Sequence, residues 1–160
     1  HELARTEPLT GLRNRRAFDD SLGLEIAAVE RTRSPLSLLV LDVDHFKQIN
    51  DSFGHDAGDK VLRSIAQVLS GCVRIIDIVA RVGGEEFAVI LPHTDAQGAH
   101  EVAQRMRVAV AQASWLSQPT TISIGAASLR TAETACGLYA RADAALYAAK
   151  KSGRNRVVAA

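Results

Sequence analysis

The chain has 160 residues, 47% hydrophobic and 23% charged, enough apolar material for one domain with a real core. Lys and Arg number 19 against 18 Asp and Glu, a formal net charge of +1. That balance excludes a polybasic nucleic-acid arm, an acidic tail and a supercharged disordered chain. The longest apolar run, Leu36 to Val43, is interrupted by Asp42, far short of the roughly 18–20 residues of a membrane helix. No signal peptide is visible. The chain opens on His1 rather than Met, so residues 1–160 read as one excised domain and residues 1–6 as the end of an upstream linker. Cys72 and Cys136 lack a partner motif. Both fall in predicted helices and read as buried free thiols, which fits a reducing, cytoplasmic setting.

In chain order, a first helix is expected from Asn14 to Arg33, with Phe18, Leu22, Ile26 and Val29 on one face. Pro35 separates it from the strand Leu36 to Val43, which is apolar on both faces and belongs at the centre of a covered sheet. A polar loop spans Asp44 to Gly58. A second helix covers Ala57 to Val73, with Leu62, Ile65, Ala66, Leu69 and Val73 at helical spacing. Ile78 to Val82 and Phe87 to Leu91 read as two strands of a hairpin, with Gly83-Gly84-Glu85-Glu86 as its turn. A third helix is expected over Ala96 to Ala113, a strand over Thr120 to Ala127, a last helix over Ala135 to Lys151, and a short strand over Arg156 to Val158. Gly153 is the expected stop of the last helix.

The fold class is therefore α/β (α+β). Its centre is a ferredoxin-like βαββαβ core, a mainly antiparallel sheet flanked by helices, with extra terminal helices and a strand. A right-handed crossover makes the first two core strands parallel, and the third pairs antiparallel between them. Asp42 and Glu85, distant in sequence, should then meet in space.

Four clusters carry chemistry. Asp42 and Asp44 end an apolar strand and point the same way by alternation. They suit a hard cation such as Mg²⁺, or a helix cap or solvated turn. Glu85 and Glu86 are adjacent acids at a hairpin tip, which repel unless a cation or donors offset them. With Asp42, Glu85 completes a carboxylate site for Mg²⁺. Asn50, His55 and Asp59 lie on or near the loop before the second helix. An ionised Asp59 can accept both donors of a guanine edge while Asn50 meets other ring positions; the plainer reading of Asp59 is a favourable helix first turn. Lys150 and Arg154 can face one anion or merely suit a helix C-terminus, and Lys47 is similarly open. Arg74 and Asp77 flank two isoleucines before the hairpin, a spacing that is usually a weak surface pair. His45 and His55 lack any zinc-type spacing.

Four motifs in order resemble the GGDEF domain, the diguanylate cyclase family, in its GGEEF form: TEPLTGLRNRRAF (6–18), LDVDHFKQINDSFGHDAGDKVL (41–62), RVGGEEFAVILP (81–92) and ADAALYAAKKSGRN (142–155). The resemblance implies a nucleotide-cyclase-like palm and the condensation of two GTP into cyclic di-GMP and two pyrophosphates. It implies Mg²⁺ on Asp42, Glu85 and the Val43 carbonyl, two ions per active site with Mn²⁺ as an alternative. Asn50, Asp59 and His55 would read guanine. Lys150, Arg154 and the amides around His45 and Phe46 would hold the triphosphate, and Lys47 would offset transition-state charge. Glu85 or Glu86 would help deprotonate the 3′-hydroxyl. Arg74 and Asp77, with Arg105 as a secondary contact, would form an inhibitory site for cyclic di-GMP. The expected partners are GTP, cyclic di-GMP, a second copy facing the first, and an upstream sensor or receiver domain, with no nucleic-acid polymer. The domain would be cytoplasmic, the full-length protein attachable to a membrane through an upstream segment. One departure stands out: Glu7 occupies a position where the family often has Asp. The alternatives are a noncatalytic module that binds GTP or cyclic di-GMP, and a metal-dependent phosphodiesterase, which would leave the guanine and phosphate residues unexplained.

Overall fold

The computed structural model describes residues 4–113 and 119–160. Residues 1–3 of the expected linker lie outside the described residues. Ten elements follow in order: α1 (Arg15–Thr32), β1 (Leu36–Val43), α2 (Phe46–Phe53), α3 (His55–Gly71), β2 (Ile78–Arg81), β3 (Glu86–Pro92), α4 (Ala96–Ala111), β4 (Ile122–Ser128), α5 (Ala135–Lys151) and β5 (Val157–Ala159). The strands form one sheet in the order β2-β3-β1-β4-β5. All pairings are antiparallel except β4 with β5. β3 lies between β1 and β2, as the crossover argument requires.

The helix ends follow local chemistry. The Asn14 side chain accepts the Ala17 N–H at the start of α1, and Arg33 ends it in the left-handed region, its N–H donating to the Val29 carbonyl. Asp95 and Thr134 cap α4 and α5 by accepting from Gly98 and Gly137.

β1 is buried along its whole length. Leu39, Leu41 and Val43 face α2, α3 and α4, whereas Leu36, Leu38 and Val40 face α1 and α5. Period-two alternation thus serves two helical layers from one strand. The face of Leu38 and Val40 continues to Asp42, so α5 is the layer that meets this carboxylate. α5 lies very close to β4: a Cβ on Gly125 would stand 2.1 Å from the Ala142 carbonyl oxygen and 2.3 Å from the Leu146 nitrogen. This close approach sets the height of the end of α5 above the sheet.

Three expectations change. The polar loop after β1 contains a helix, α2, whose Phe46 and Ile49 are buried. Phe46, Ile49 and Phe53 do fall at helical spacing, but over eight residues only, and Phe53 stays exposed. Gly54, at φ 88°, separates α2 from α3. The hairpin turn is also tighter than expected, because Glu86 belongs to β3; Val82 N–H and Gly83 N–H both donate to its carbonyl. Finally, Cys72 caps α3 half-buried and Cys136 is exposed on α5. The buried reading therefore fails for Cys136, which falls on the outer face of its helix.

Gly125→Ala should force α5 away from the sheet. Chemical denaturation is expected to show a loss of at least about 2 kcal/mol, and an unchanged midpoint would contradict the close-packing account.

Candidate functional site

The C-terminal end of β1 lies beside the hairpin because Asp42 is the register partner of Glu86, and the Val43 N–H reaches the Glu85 carbonyl at 3.3 Å. Alternation along β3 then separates the two glutamates. Glu86 shares the α5 face with Asp42, and Glu85 turns toward a cavity of about 280 Å³. That cavity is lined by Val43, Asp44, His45, Phe46, Lys47, Gln48, Glu85, Lys150 and Arg154.

The structure thus gathers Val43, His45, Phe46, Lys47, Glu85, Lys150 and Arg154 around one space. His45 stands in the left-handed region at φ 55° and starts α2. The first N–H groups of α2 have no intrahelical acceptor and form, with the helix dipole, an anion-favouring end. Lys47, Lys150 and Arg154 add positive charge to the same space.

Asp42 is 6% exposed. Its Oδ2 accepts from the Lys150 ammonium, while its Oδ1 has no hydrogen-bond partner. A buried carboxylate oxygen without a partner is costly. Burial and the Asp42 charge push the Glu85 carboxyl above its ordinary range, and Lys150 partly opposes them. The Lys150 ammonium therefore faces two acids, Asp42 and Glu85. The donors at hand are the Asp42 and Glu85 carboxylates and the backbone oxygen of Val43 at the end of β1, a hard set of the kind that suits Mg²⁺ with phosphate and water completing the shell. Among the described residues no group of three or more His, Cys, Asp or Glu is arranged around a metal position, so nucleotide oxygens would have to complete such a site.

Glu86 has a different environment. Tyr139 of α5 donates its hydroxyl to Glu86 Oε1. The Arg15 guanidinium sits 4.7 Å from the Tyr139 ring centroid, and Phe18 meets that ring edge-on at 5.9 Å. Burial raises the Glu86 carboxyl; the Tyr139 hydrogen bond lowers it, and Asp42 and Asp143 raise it. The Tyr139 phenol is pushed far above its ordinary value, chiefly by burial and then by Glu86. Sequence reasoning gave no role to Tyr139, which lies outside the four motifs, or to Arg15, which lies inside the first of them.

Asn50, His55 and Asp59 do not line the 280 Å³ cavity; they stand where α2 turns into α3. Asn50 Oδ1 is buried without a hydrogen-bond partner. It lies so close to Gly58 that a Cβ there would be 1.9 Å away. Gly58 therefore admits the Asn50 amide beside the first turn of α3, where Asp59 lies half-buried and His55 exposed.

Arg74 and Asp77 form a separate unit before β2. The Arg74 guanidinium donates to both Asp77 oxygens at 3.2 and 2.8 Å, to the Pro92 carbonyl at 2.7 Å and to Thr94 Oγ1 at 2.9 Å. The Asp77 side chain is 1% exposed and that of Arg74 51% exposed. Arg105 reaches the Cys72 carbonyl at 3.0 Å, which brings it beside this turn. Pro92 and Thr94 are partners that sequence spacing could not reveal.

Glu7 is fully engaged. It accepts the Leu9 and Thr10 N–H groups at 3.0 and 2.7 Å, the Thr10 hydroxyl, and Arg81 Nη1 at 3.0 Å. Arg81 in turn donates to the Gly84 carbonyl from Nε and Nη2 at 3.1 and 2.7 Å. The longer acid thus reaches the hairpin through Arg81. Neither Gly83 nor Gly84 has a positive φ, and a Cβ on Gly84 would meet nothing within 4 Å. The hairpin tip is left open to approach.

Comparison with known proteins gives a consistent result. The sequence pattern of the family described as "Diguanylate cyclase, GGDEF domain" matches residues 4–156. Diguanylate cyclase DgcP of Pseudomonas aeruginosa is 45% identical over 160 residues, covering 98% of this chain and 24% of that protein. Response regulator PleD of Caulobacter vibrioides is 44% identical over 164 residues, covering 98% of this chain and 36% of that protein. The chain therefore spans about a quarter to a third of these relatives. The crystal structure of the GGDEF domain of DgcB from Caulobacter crescentus, in complex with c-di-GMP, superposes with a TM-score of 0.92 at 40% identity, covering 99% of this chain and 97% of that one.

The raised carboxyls of Glu85 and Glu86 have a consequence for stability. An acid whose folded value exceeds its unfolded value binds more protons in the folded state, so its contribution falls as pH rises between the two values. In metal-free buffer, Glu85→Gln should lessen the loss of stability on going from the ordinary carboxylate range to neutral pH. It should therefore be more stable than wild type at pH 7. Thermal unfolding with a chelator present tests this, and a less stable Glu85→Gln at pH 7 would contradict it.

Proposed function

The chain belongs to the GGDEF family of diguanylate cyclases, and on that premise we propose that it is a catalytic domain of the GGEEF form that condenses two GTP into cyclic di-GMP and two pyrophosphates. The carrying observation is the cavity that joins Glu85 to Lys47, Lys150 and Arg154 under the start of α2, with the unpartnered Asp42 oxygen behind it. Residues 1–160 act as one domain, with residues 1–6 as the end of an upstream linker.

In this reading Asp42, Glu85 and the Val43 carbonyl hold Mg²⁺, with Mn²⁺ as an alternative. When bound, two such ions activate the 3′-oxygen and offset charge on the leaving pyrophosphate. The protein's own groups do the rest by position and electrostatics. Lys150, Arg154 and the amides around His45 and Phe46 hold the triphosphate, and Lys47 offsets the charge that grows on it. Asn50 and Asp59 accept and donate along the guanine edge, with His55 at its rim. Glu85 faces the cavity and is the better placed of the two glutamates to take the 3′-hydroxyl proton; Glu86, held by Tyr139, fixes the hairpin. Each domain holds one GTP, so a second copy must present its own 3′-hydroxyl. An upstream sensor or receiver domain, consistent with the fraction of the relatives that this chain spans, would bring the two together. The domain works in the cytoplasm. No described helix is long and apolar enough to cross a membrane, and in this reading an upstream segment could attach the full-length protein to one.

Arg74 and Asp77, with Arg105, form the proposed product site. The Arg74 fork already engages the buried Asp77 carboxylate, which fixes its plane for a phosphate or a guanine edge.

Incubation with GTP and Mg²⁺ should yield cyclic di-GMP, and Glu85→Ala should lower the rate at least about a hundredfold, on the scale of losing a charge-stabilising group. Full activity in Glu85→Ala, or GTP binding with no product at high protein concentration, would count against catalysis. Arg74→Ala should weaken inhibition by cyclic di-GMP about tenfold or more, as expected for a charge-assisted pair, while leaving turnover without product intact. Unchanged inhibition would remove the product-site assignment.

A further inference from the structure

Asp44 is a buried carboxylate outside the proposed metal set, 5% exposed at the end of β1. Spacing alone left it open as a cation ligand or a cap. Its oxygens are already occupied. Oδ2 accepts from Thr121 Oγ1 at 2.7 Å and from the Asn155 N–H at 3.0 Å, and Oδ1 accepts from Ser123 Oγ at 2.6 Å. Its own N–H donates to the Thr121 carbonyl at 2.9 Å. Asp44 therefore ties the end of β1 both to β4 and to the chain just after α5.

The turn it grips is an unfavourable one. Arg154 and Asn155 stand at φ 63° and 45°, after Gly153 at 129°. Two successive side-chain-bearing residues in the left-handed region persist only where their surroundings impose it. Four contacts do so: the Arg154 N–H donates to the Ala149 carbonyl at 3.0 Å, Arg156 Nε donates to the Arg154 carbonyl at 3.0 Å, Arg107 Nη1 donates to Asn155 Oδ1 at 3.2 Å, and the Asn155 N–H donates to Asp44, the one contact that ties the turn to the end of β1. Held in this way, Arg154 lines the 280 Å³ cavity.

We propose that Asp44 is a positioning residue, which holds the left-handed turn 153–155 so that Arg154 meets the triphosphate. The inference rests on the nucleotide reading of this cavity. It makes Asp44 act through a backbone N–H rather than through a cation, and this difference can be tested. An amide at position 44 can place its carbonyl oxygen where Oδ2 stands, keeping the Thr121 and Asn155 bonds. Its NH₂ can donate to the Ser123 hydroxyl, which is able to accept instead of donate. A serine hydroxyl ends one bond short of that position and loses the Asn155 N–H.

The probe is a GTP analogue with an α,β-methylene bridge, titrated with Mg²⁺ present by calorimetry. Arg154→Ala should weaken binding about tenfold or more. Asp44→Asn should stay within about threefold of wild type, and Asp44→Ser should approach Arg154→Ala. Asp44→Ser combined with Arg154→Ala should be no weaker than Arg154→Ala alone, because both changes remove one contact. In turnover, Asp44→Ser should raise KM with kcat within about twofold. A drop in Asp44→Asn as large as that of Arg154→Ala would overturn the inference, as would additive losses in the double variant or a loss confined to kcat. Asp44→Asn is near-isosteric, so its result decides even if Asp44→Ser does not fold. Wild-type binding of the analogue with these outcomes reversed would sink the inference alone. No wild-type binding at all would sink the nucleotide reading and the inference with it.

Discussion

The antiparallel register of β1 with β3 is the constraint on which the site depends. It places Asp42 opposite Glu86 and brings the Glu85 carbonyl onto the Val43 N–H. Asp42, Glu85 and Glu86 are thereby held at one end of the sheet, with the Lys150 ammonium beside the first two and the Tyr139 hydroxyl on the third. Such a cluster is unfavourable in the isolated fold, since burial and like charge both oppose ionisation. In the proposed reading, cations and nucleotide oxygens complete it and make it favourable. On that reading the sheet gives up stability to keep oxygen donors where the ligand's charge would arrive.

The opposing charges come from different elements. Lys150 sits at the end of α5, and α5 can lie at the right height only because Gly125 has no side chain. Arg154 comes from the left-handed turn after that helix. Lys47 and the first N–H groups without an intrahelical acceptor come from α2, which starts directly after His45. The net charge of +1 therefore describes a sum of two segregated patterns. Acids line the strand ends, and cations line the surrounding helices and turn. The Arg74–Asp77 unit is a third, separate pairing at the opposite end of β3, beside Pro92.

Much of this was legible in the residues. Two-sided apolar character put β1 at the sheet centre, and element order put β3 beside it. The meeting of the hairpin with Asp42 followed from topology alone. The division of labour between Glu85 and Glu86 did not, because it depends on where the turn ends, and one residue of shift exchanges the faces. α2 was hidden by its brevity. Tyr139 was invisible because its contact with Glu86 spans 53 residues and uses no recurrent spacing. The sequence could not say what Asp44 does; only the hydroxyls of Thr121 and Ser123 and the Asn155 N–H show it as a satisfied carboxylate beside Asp42 with its open oxygen.

The central claim is that two copies of this acid-and-cation site must face each other to complete one product. The rate of GTP consumption per domain, measured over a wide range of protein concentration with the product identified by mass, tests it most directly. The account predicts a rate per domain that rises with concentration and a product with the mass of cyclic di-GMP. A rate per domain independent of concentration in a chain that stays monomeric, or a product of any other mass, would contradict it.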